Sequence, residues 1–292
     1  MGEENLERLV LKQADHIAMN LVGSKKRLCG YVIETNLMQA LHSRAFALAV
    51  LGTVIVLAAG VFTDLLNAFR SETLLENGFH IHLVQKAVES DSFQFAFSIL
   101  CALPYTASYM DDSKCGYIKF YLARCKRSHY ILGKLIACMV SGGLALVIGI
   151  LIFFGIAAIV FYPMELAPVS IQGMAVNQAD DMSELAEWLL PFLQKLVLIY
   201  LSGGFLSLTG MAASTLFSSR YMAYSAPFIL YYLLIILCER YMKDCYVLYP
   251  KEWLKPVRFP YGWGGAAILL IELSALLVGF FYLMEERRLR QL

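Results

Sequence analysis

The chain has 292 residues, of which 59% are hydrophobic and 16% are charged, with a net charge of +1. This is more apolar surface than a soluble domain of that length can bury. The composition therefore excludes an ordinary soluble domain and predicts an all-α protein that crosses a membrane several times. Nothing in the charge balance points to nucleic-acid binding.

Residues 1–44 are predicted to form a cytoplasmic N-terminus that ends in a helix lying on the membrane surface. Lys25, Lys26 and Arg27 precede a segment in which apolar residues such as Tyr31 and Leu37 alternate with polar ones. That pattern is typical of an interfacial, or elbow, helix in the headgroup region. A merely solvated helix is the alternative.

Residues 45–292 are predicted to form a transmembrane domain of six helices. Apolar runs long enough to cross the hydrocarbon core occur at about 45–62, 93–110, 135–161, 191–217, 221–238 and 263–284. Pro104 is expected to kink the second span. Small residues in the third and fourth spans predict a close approach between helices; they are Ser141, Gly142, Gly143, Ser202, Gly203, Gly204 and Gly210.

The distribution of Lys and Arg predicts which way the spans run. With six spans, both termini and the loops 111–134 and 218–220 share one face, which carries 16 of these residues, against 7 on the other face. The positive-inside rule places the richer face, with both termini, in the cytoplasm. On the opposite face the segment 239–262 is rich in proline and aromatic residues, which favours short broken helices dipping into the outer leaflet.

A few ionisable side chains are candidates for chemistry. Glu272 is the one acid deep in a predicted span and is expected to line a transport path or to pair with another span. Lys195, near a span end, is expected to snorkel towards water. His80 and His82 have the spacing of two metal ligands but lack further ligands nearby, so a solvated loop is the competing interpretation.

The loop 111–134 has the highest charge density of the short loops. It begins with Asp111 and Asp112, continues through Gly116 and a run of aromatic and apolar residues, and ends with Arg124, Arg127, Tyr130, Gly133 and Lys134. This order resembles the loop between the second and third spans of type-2 ATP-binding-cassette (ABC) exporter permeases. The resemblance extends to the elbow helix, the six spans and the Pro/aromatic outer loop.

The resemblance implies that the chain is the permease subunit of an ATP-driven exporter. Loop 111–134 would be the coupling helix, docked on a separate nucleotide-binding ATPase subunit, and a second permease copy or a sister permease would complete the pathway in a plasma membrane, expected to be bacterial. The predicted docking residues are Asp111, Asp112, Gly116, Lys119, Arg124 and Arg127. The chain has no phosphate-binding loop, so it is not expected to be an enzyme itself, and ATP and Mg would be used by the partner.

Three alternatives remain. The basic residues of loop 111–134 could serve as topology determinants alone. A secondary transporter could use Glu272 as an ion-coupling site, although no internal repeat is visible. An intramembrane hydrolase is suggested by Glu285, Glu286 and Arg290, which resemble one motif of the prenyl-endopeptidase family, but the F-x-x-x-H motif of that family is missing.

Overall fold

The computed structural model describes residues 32–70, 79–118, 126–165, 180–242, 246–259 and 261–290. Within these ranges the protein is helical and contains no strand. The predictions for residues 1–31, and those for Lys119 and Arg124, lie outside the described residues.

The described ranges contain eleven α-helices, numbered here in chain order. They are α1 (Val32–Leu41), α2 (Arg44–Gly60), α3 (Phe62–Arg70), α4 (Phe79–Glu89), α5 (Asp91–Leu100), α6 (Ser108–Lys114), α7 (Arg127–Glu165), α8 (Asp180–Leu216), α9 (Arg220–Arg240), α10 (Pro250–Leu254) and α11 (Gly262–Arg290), and a 3₁₀ turn occupies Tyr246–Leu248.

Four of these helices are long and apolar enough to cross a membrane, namely α7, α8, α9 and α11. They overlap the positions predicted for the third to sixth spans, which stay predictions. A fifth crossing is formed if α1 and α2, which meet at 49°, count as one broken span. The protein is therefore a multi-pass membrane protein, and the count of six spans and the orientation of the termini stay predictions.

The first predicted span is short because a serine separates it from the elbow. Ser43 caps α2, and its hydroxyl accepts a hydrogen bond from the Phe46 backbone N–H at 3.0 Å. The cap satisfies one of the free N–H groups at the start of a helix. The bend therefore separates α1, which corresponds to the predicted elbow, from the apolar helix α2.

The second predicted span is broken, not merely kinked. Helix α5 ends at Leu100, turns occupy residues 101–107, and α6 begins at Ser108. Pro104 has no N–H for a helical bond, and the chain tightens before it with a bond from the Ala102 N–H to the Ile99 carbonyl at 3.1 Å. Pro104 itself is buried, as expected for irregular backbone at membrane depth.

Helix α8 lies at the centre of the bundle. In its most apolar 18-residue window 78% of the residues are buried, compared with 17% in α11. Because lipid touches little of it, α8 can carry hydroxyl residues. The hydroxyls of Ser202 and Ser214, for example, donate to backbone carbonyls of the preceding turn at 2.7 Å.

Four of the glycines predicted to allow close packing, Gly142, Gly143, Gly203 and Gly204, lie where α7 crosses α8, whereas Gly210 faces α9. A Cβ added to Gly143 would lie 2.5 Å from the Tyr200 carbonyl oxygen, and one added to Gly203 would lie 2.6 Å from Leu146. At Gly143 the close contact is with backbone, so a side chain larger than hydrogen does not fit without a shift of the helices. The close approach gives α7 and α8 an extended packing contact. Such contacts are needed because lipid supplies no hydrophobic driving force between helices.

The segment 239–262 contains the short broken helices that its composition predicts. Trp253 of α10 is buried, packs edge-on against Phe205 of α8 at 5.7 Å between ring centroids, and donates from its indole N–H to the Val247 carbonyl at 3.0 Å. This segment therefore closes one end of the bundle. Its depth in the membrane stays a prediction.

Two glycines of α7 provide a matched test of the α7–α8 crossing. We expect Gly143→Ala to lower the free energy of unfolding by about 1–3 kcal/mol, because the new methyl group overlaps backbone of α8. Gly155→Ala, where an added Cβ meets nothing within 4 Å, should be neutral or slightly stabilising. Thermal unfolding of both variants in mild detergent is the measurement, and equal effects would contradict the crossing.

Candidate functional site

A buried lysine organises one end of the bundle. The side chain of Lys134, in the second turn of α7, is 2% exposed, and its ammonium lies 2.8 Å from Asp112 Oδ2 in α6. It also donates a hydrogen bond to the Tyr105 hydroxyl at 2.9 Å. A buried ammonium is tolerated only when it is paired and hydrogen-bonded in this way.

Neighbouring polar groups complete what we call the Lys134 cluster: Asn36, Tyr105, Asp112, Tyr130 and Lys134. The Tyr130 hydroxyl donates to Asp112 Oδ2 at 2.7 Å, and the Tyr105 hydroxyl donates to Asn36 Oδ1 at 2.9 Å. The cluster thus links four segments that are separate in sequence, namely α1, the turn 101–107, α6 and α7.

Local helix geometry explains why these side chains meet. Tyr130 and Lys134 stand at positions i and i+4 of α7 and so share one face of the helix. Helix α6 is terminated after Lys114, and Gly116 adopts φ +70°, a left-handed conformation that glycine takes without steric cost. The chain can therefore turn away while Asp112 faces α7.

Two further contacts tie α6 to the same end of the bundle. Asp111 pairs with Arg220, the first residue of α9, and the Tyr109 hydroxyl donates to the buried carboxylate of Glu285 in α11. Arg288, also in α11, donates a hydrogen bond to the Thr215 carbonyl in α8 at 2.9 Å. Helix α6 is consequently held against α7, α9 and α11 by its polar side chains.

The structure places the predicted docking residues unequally. Asp111 and Asp112 have partners within the chain, Arg220 and Lys134, and their docking role stays a prediction. Gly116 forms the turn after α6. Arg127 lies exposed at the start of α7, beside exposed Lys126. Lys119 and Arg124 lie outside the described residues.

Glu272 is on the outer face of the bundle. It is exposed on α11, among exposed apolar side chains that include Ile268 and Leu276. Within the described residues, no hydrogen bond or ion pair joins Glu272 to another span, so the expected pairing is not seen. A transport role for Glu272 stays a prediction.

The opposite end of the bundle is fastened by a second set of charges, which we call the Glu89 cluster. Glu89, the last residue of α4, accepts from Lys195 of α8 at 2.6 Å and from Lys255 at 2.9 Å. Burial alone would raise the pKa of Glu89, but the two lysines outweigh burial and hold that pKa below its usual value. Lys195 is therefore buried and paired, which corrects the expectation that it snorkels to water.

His80 and His82 lie in α4 and not in a loop. His80 stacks near Phe154, with 6.0 Å between ring centroids. Within the described ranges, no group of three or more His, Cys, Asp or Glu side chains is arranged to hold a metal ion.

The sequence contained only weak signals for these two clusters. Tyr130 and Lys134 share a helical face, which hints at one polar site. The cluster members Asn36, Asp112 and Glu89 come from segments distant from their partners, and no spacing rule connects them. Glu285 was interpreted as part of a motif in the tail, whereas its carboxylate is buried against Tyr109.

Comparison with known proteins adds no family to this geometry: no family model, no curated protein and no solved structure matches the chain.

The buried ion pair can be tested by removing one charge at a time. Asp112→Asn should lower the free energy of unfolding by about 3–5 kcal/mol, because it leaves the ammonium of Lys134 buried without a counter-charge. The double variant Asp112→Asn/Lys134→Met should recover most of that loss. Denaturant unfolding in mild detergent measures both.

The exposed pair between Asp64 and Lys86 serves as the control, because its two side chains are 28% and 66% exposed. Asp64→Asn should cost about 0–1 kcal/mol. An equal effect of Asp64→Asn and Asp112→Asn would contradict the proposed importance of the buried pair.

Proposed function

We propose that the chain is the permease subunit of an ATP-driven ABC exporter of type 2. It is embedded in a bacterial plasma membrane, with both termini in the cytoplasm. It forms the substrate path with a second copy or a sister permease. Loop 111–134 couples it to a separate ATPase subunit, which binds ATP and Mg.

The observation that carries this proposal is the attachment of both ends of loop 111–134 to the bundle. Asp112 at its start and Lys134 at its end form a buried ion pair at 2.8 Å. A permease without its own ATPase must receive mechanical work through a rigid element, and a flexible loop would dissipate the movement. The ion pair fixes the two described ends of the loop against each other.

The contacts of α6 favour transmission to several spans at once. A force applied to α6 reaches α7 through Lys134, α9 through Arg220 and α11 through Glu285. Spans joined in this way would move together as a body, which is how rocking movements open a path on one side of a membrane.

The surface beside these contacts has the charge that docking requires. Lys126 and Arg127 are exposed where α7 begins. Surface charges of this kind set the register and choice of a partner more than the affinity for it. We therefore assign partner recognition to the exposed basic residues and rigidity to the paired acidic ones.

The alternative of a secondary transporter that uses Glu272 has less support. An ion-coupling carboxylate needs a protected cavity near the middle of the membrane. Glu272 instead lies on an exposed face of α11.

Purification of the tagged chain from its native membrane in mild detergent tests the proposal. We expect a nucleotide-binding protein with ATPase activity to co-purify. Reversing two charges with Arg124→Glu and Arg127→Glu should reduce its amount at least tenfold while the chain still inserts and folds, because like charges would then meet across the interface.

Arg240→Glu provides the control, since Arg240 is exposed at the other end of α9 and should not affect docking. The docking role would be refuted by unchanged co-purification in the double variant. Recovery of the chain without any nucleotide-binding protein, under conditions that keep another exporter of that membrane intact, would refute the exporter assignment.

A further inference from the structure

A groove of about 670 Å³ opens on the side of the bundle towards the end that carries the Glu89 cluster. It lies between α2, α5 and α9, and α10 closes its mouth. Its size is in the range of small-molecule binding sites. None of the contacts that support the exporter proposal involves this groove.

Apolar and aromatic side chains line part of the groove. Val56 and Ile235 line it together with Phe95 and Tyr232. Phe95 lies 5.7 Å from Tyr232 and 5.4 Å from Phe228 between ring centroids, so the two rings that line the groove belong to a cluster of three. This surface suits an alkyl chain, and the ring faces suit a cation.

A hydroxyl without a partner lines the same groove. Tyr231 is 1% exposed, and within the described residues its hydroxyl makes no hydrogen bond. A buried polar group left unpaired costs free energy and calls for an explanation. A ligand in the groove, or water held beside it, would supply the missing partner.

The mouth of the groove carries more acidic than basic side chains. Asp91 stands in the first turn of α5 and Glu239 near the end of α9, while Lys251 is the one basic side chain that lines the groove. Lys251 lies 3.5 Å from Glu239, which also accepts from the Tyr249 hydroxyl at 2.9 Å. No hydrogen bond or ion pair engages the Asp91 side chain within the described residues, so the mouth retains one uncompensated negative charge.

A polar recess provides space for a headgroup next to this charge. At Asp91 and Ser92 the groove meets a second cavity, of about 720 Å³, which is also lined by Lys86 and Glu89. Lys86 is paired with Asp64, and Glu89 with Lys195 and Lys255, so among the acidic and basic side chains that line this recess Asp91 is the one without an ion-pair partner within the described residues. An occupant can therefore place its polar end at Asp91 and its apolar end between Phe95 and Ile235.

We propose that this groove binds a cationic amphiphile, a molecule with one ammonium headgroup and one alkyl chain. Asp91 attracts the headgroup, and the rings of Phe95 and Tyr232 contact the cation and the first methylenes. The uncompensated carboxylate disfavours anionic amphiphiles of the same length. This binding does not depend on the exporter assignment, because it requires only the chain itself.

Equilibrium binding of radiolabelled tetradecyltrimethylammonium to the full chain in neutral lipid nanodiscs tests this inference. We expect saturable binding of one molecule per chain. An excess of unlabelled tetradecyltrimethylammonium should displace it, whereas tetradecyl sulfate and tetradecyl maltoside should compete at least tenfold less well. Equal competition by all three would overturn the proposal in favour of a general apolar groove.

Three variants localise the site. Asp91→Asn should weaken binding at least tenfold, and Val56→Trp, which fills the groove from α2, should abolish it. Glu34→Gln changes an exposed acid in α1 that lines neither the groove nor the recess and should leave binding unchanged. Wild-type affinity in both Asp91→Asn and Val56→Trp would place the ligand elsewhere and overturn the proposal, and an equal loss in Glu34→Gln would do so as well.

Discussion

The structure depends on the need to neutralise one buried ammonium, that of Lys134. A cation with 2% of its side chain exposed has to find an anion, and Asp112 supplies it from the far end of a loop whose middle lies outside the described residues. The ion pair itself adds little net stability, because both charges lose their hydration. It selects one arrangement of α6 against α7, since any other leaves Lys134 unpaired. The buried charge therefore determines the position of α6 against α7.

The two ends of the bundle are fastened by charges, whereas its middle is held by close packing. Glu89 holds α8 and the segment after α10 at one end, as Asp112 and Asp111 hold α7 and α9 at the other. Between them, glycines let α7 and α8 approach to backbone contact. Lipid supplies no hydrophobic force between helices, so this combination of fitted surfaces and paired charges provides the specificity that a soluble core obtains from burial.

The long helices could be predicted from the sequence, because length and apolar content are local properties. The contact between Gly143 and α8 was also foreseeable, since small residues in a span indicate close approach. The break after Leu100 was predicted only as a kink, because a proline does not reveal whether its neighbours continue the helix. The sequence did not reveal that Asp111 pairs with Arg220 and Asp112 with Lys134, since both pairings depend on tertiary packing. Charge density identified the loop. It did not show that the acids of the loop are paired within the chain while its basic residues Lys126 and Arg127 are exposed.

A distance measurement along the bundle tests whether loop 111–134 moves with the spans. Spin labels would be placed at Cys115, exposed just after α6, and at position 242 in Met242→Cys, beyond the far end of α9, with all other cysteines replaced. Helix α9 has 21 residues and so spans about 31 Å, which is suitable for pulsed dipolar spectroscopy. The account predicts one narrow distance distribution in lipid nanodiscs. A broad distribution, with the loop sampling many positions relative to α9, would contradict it.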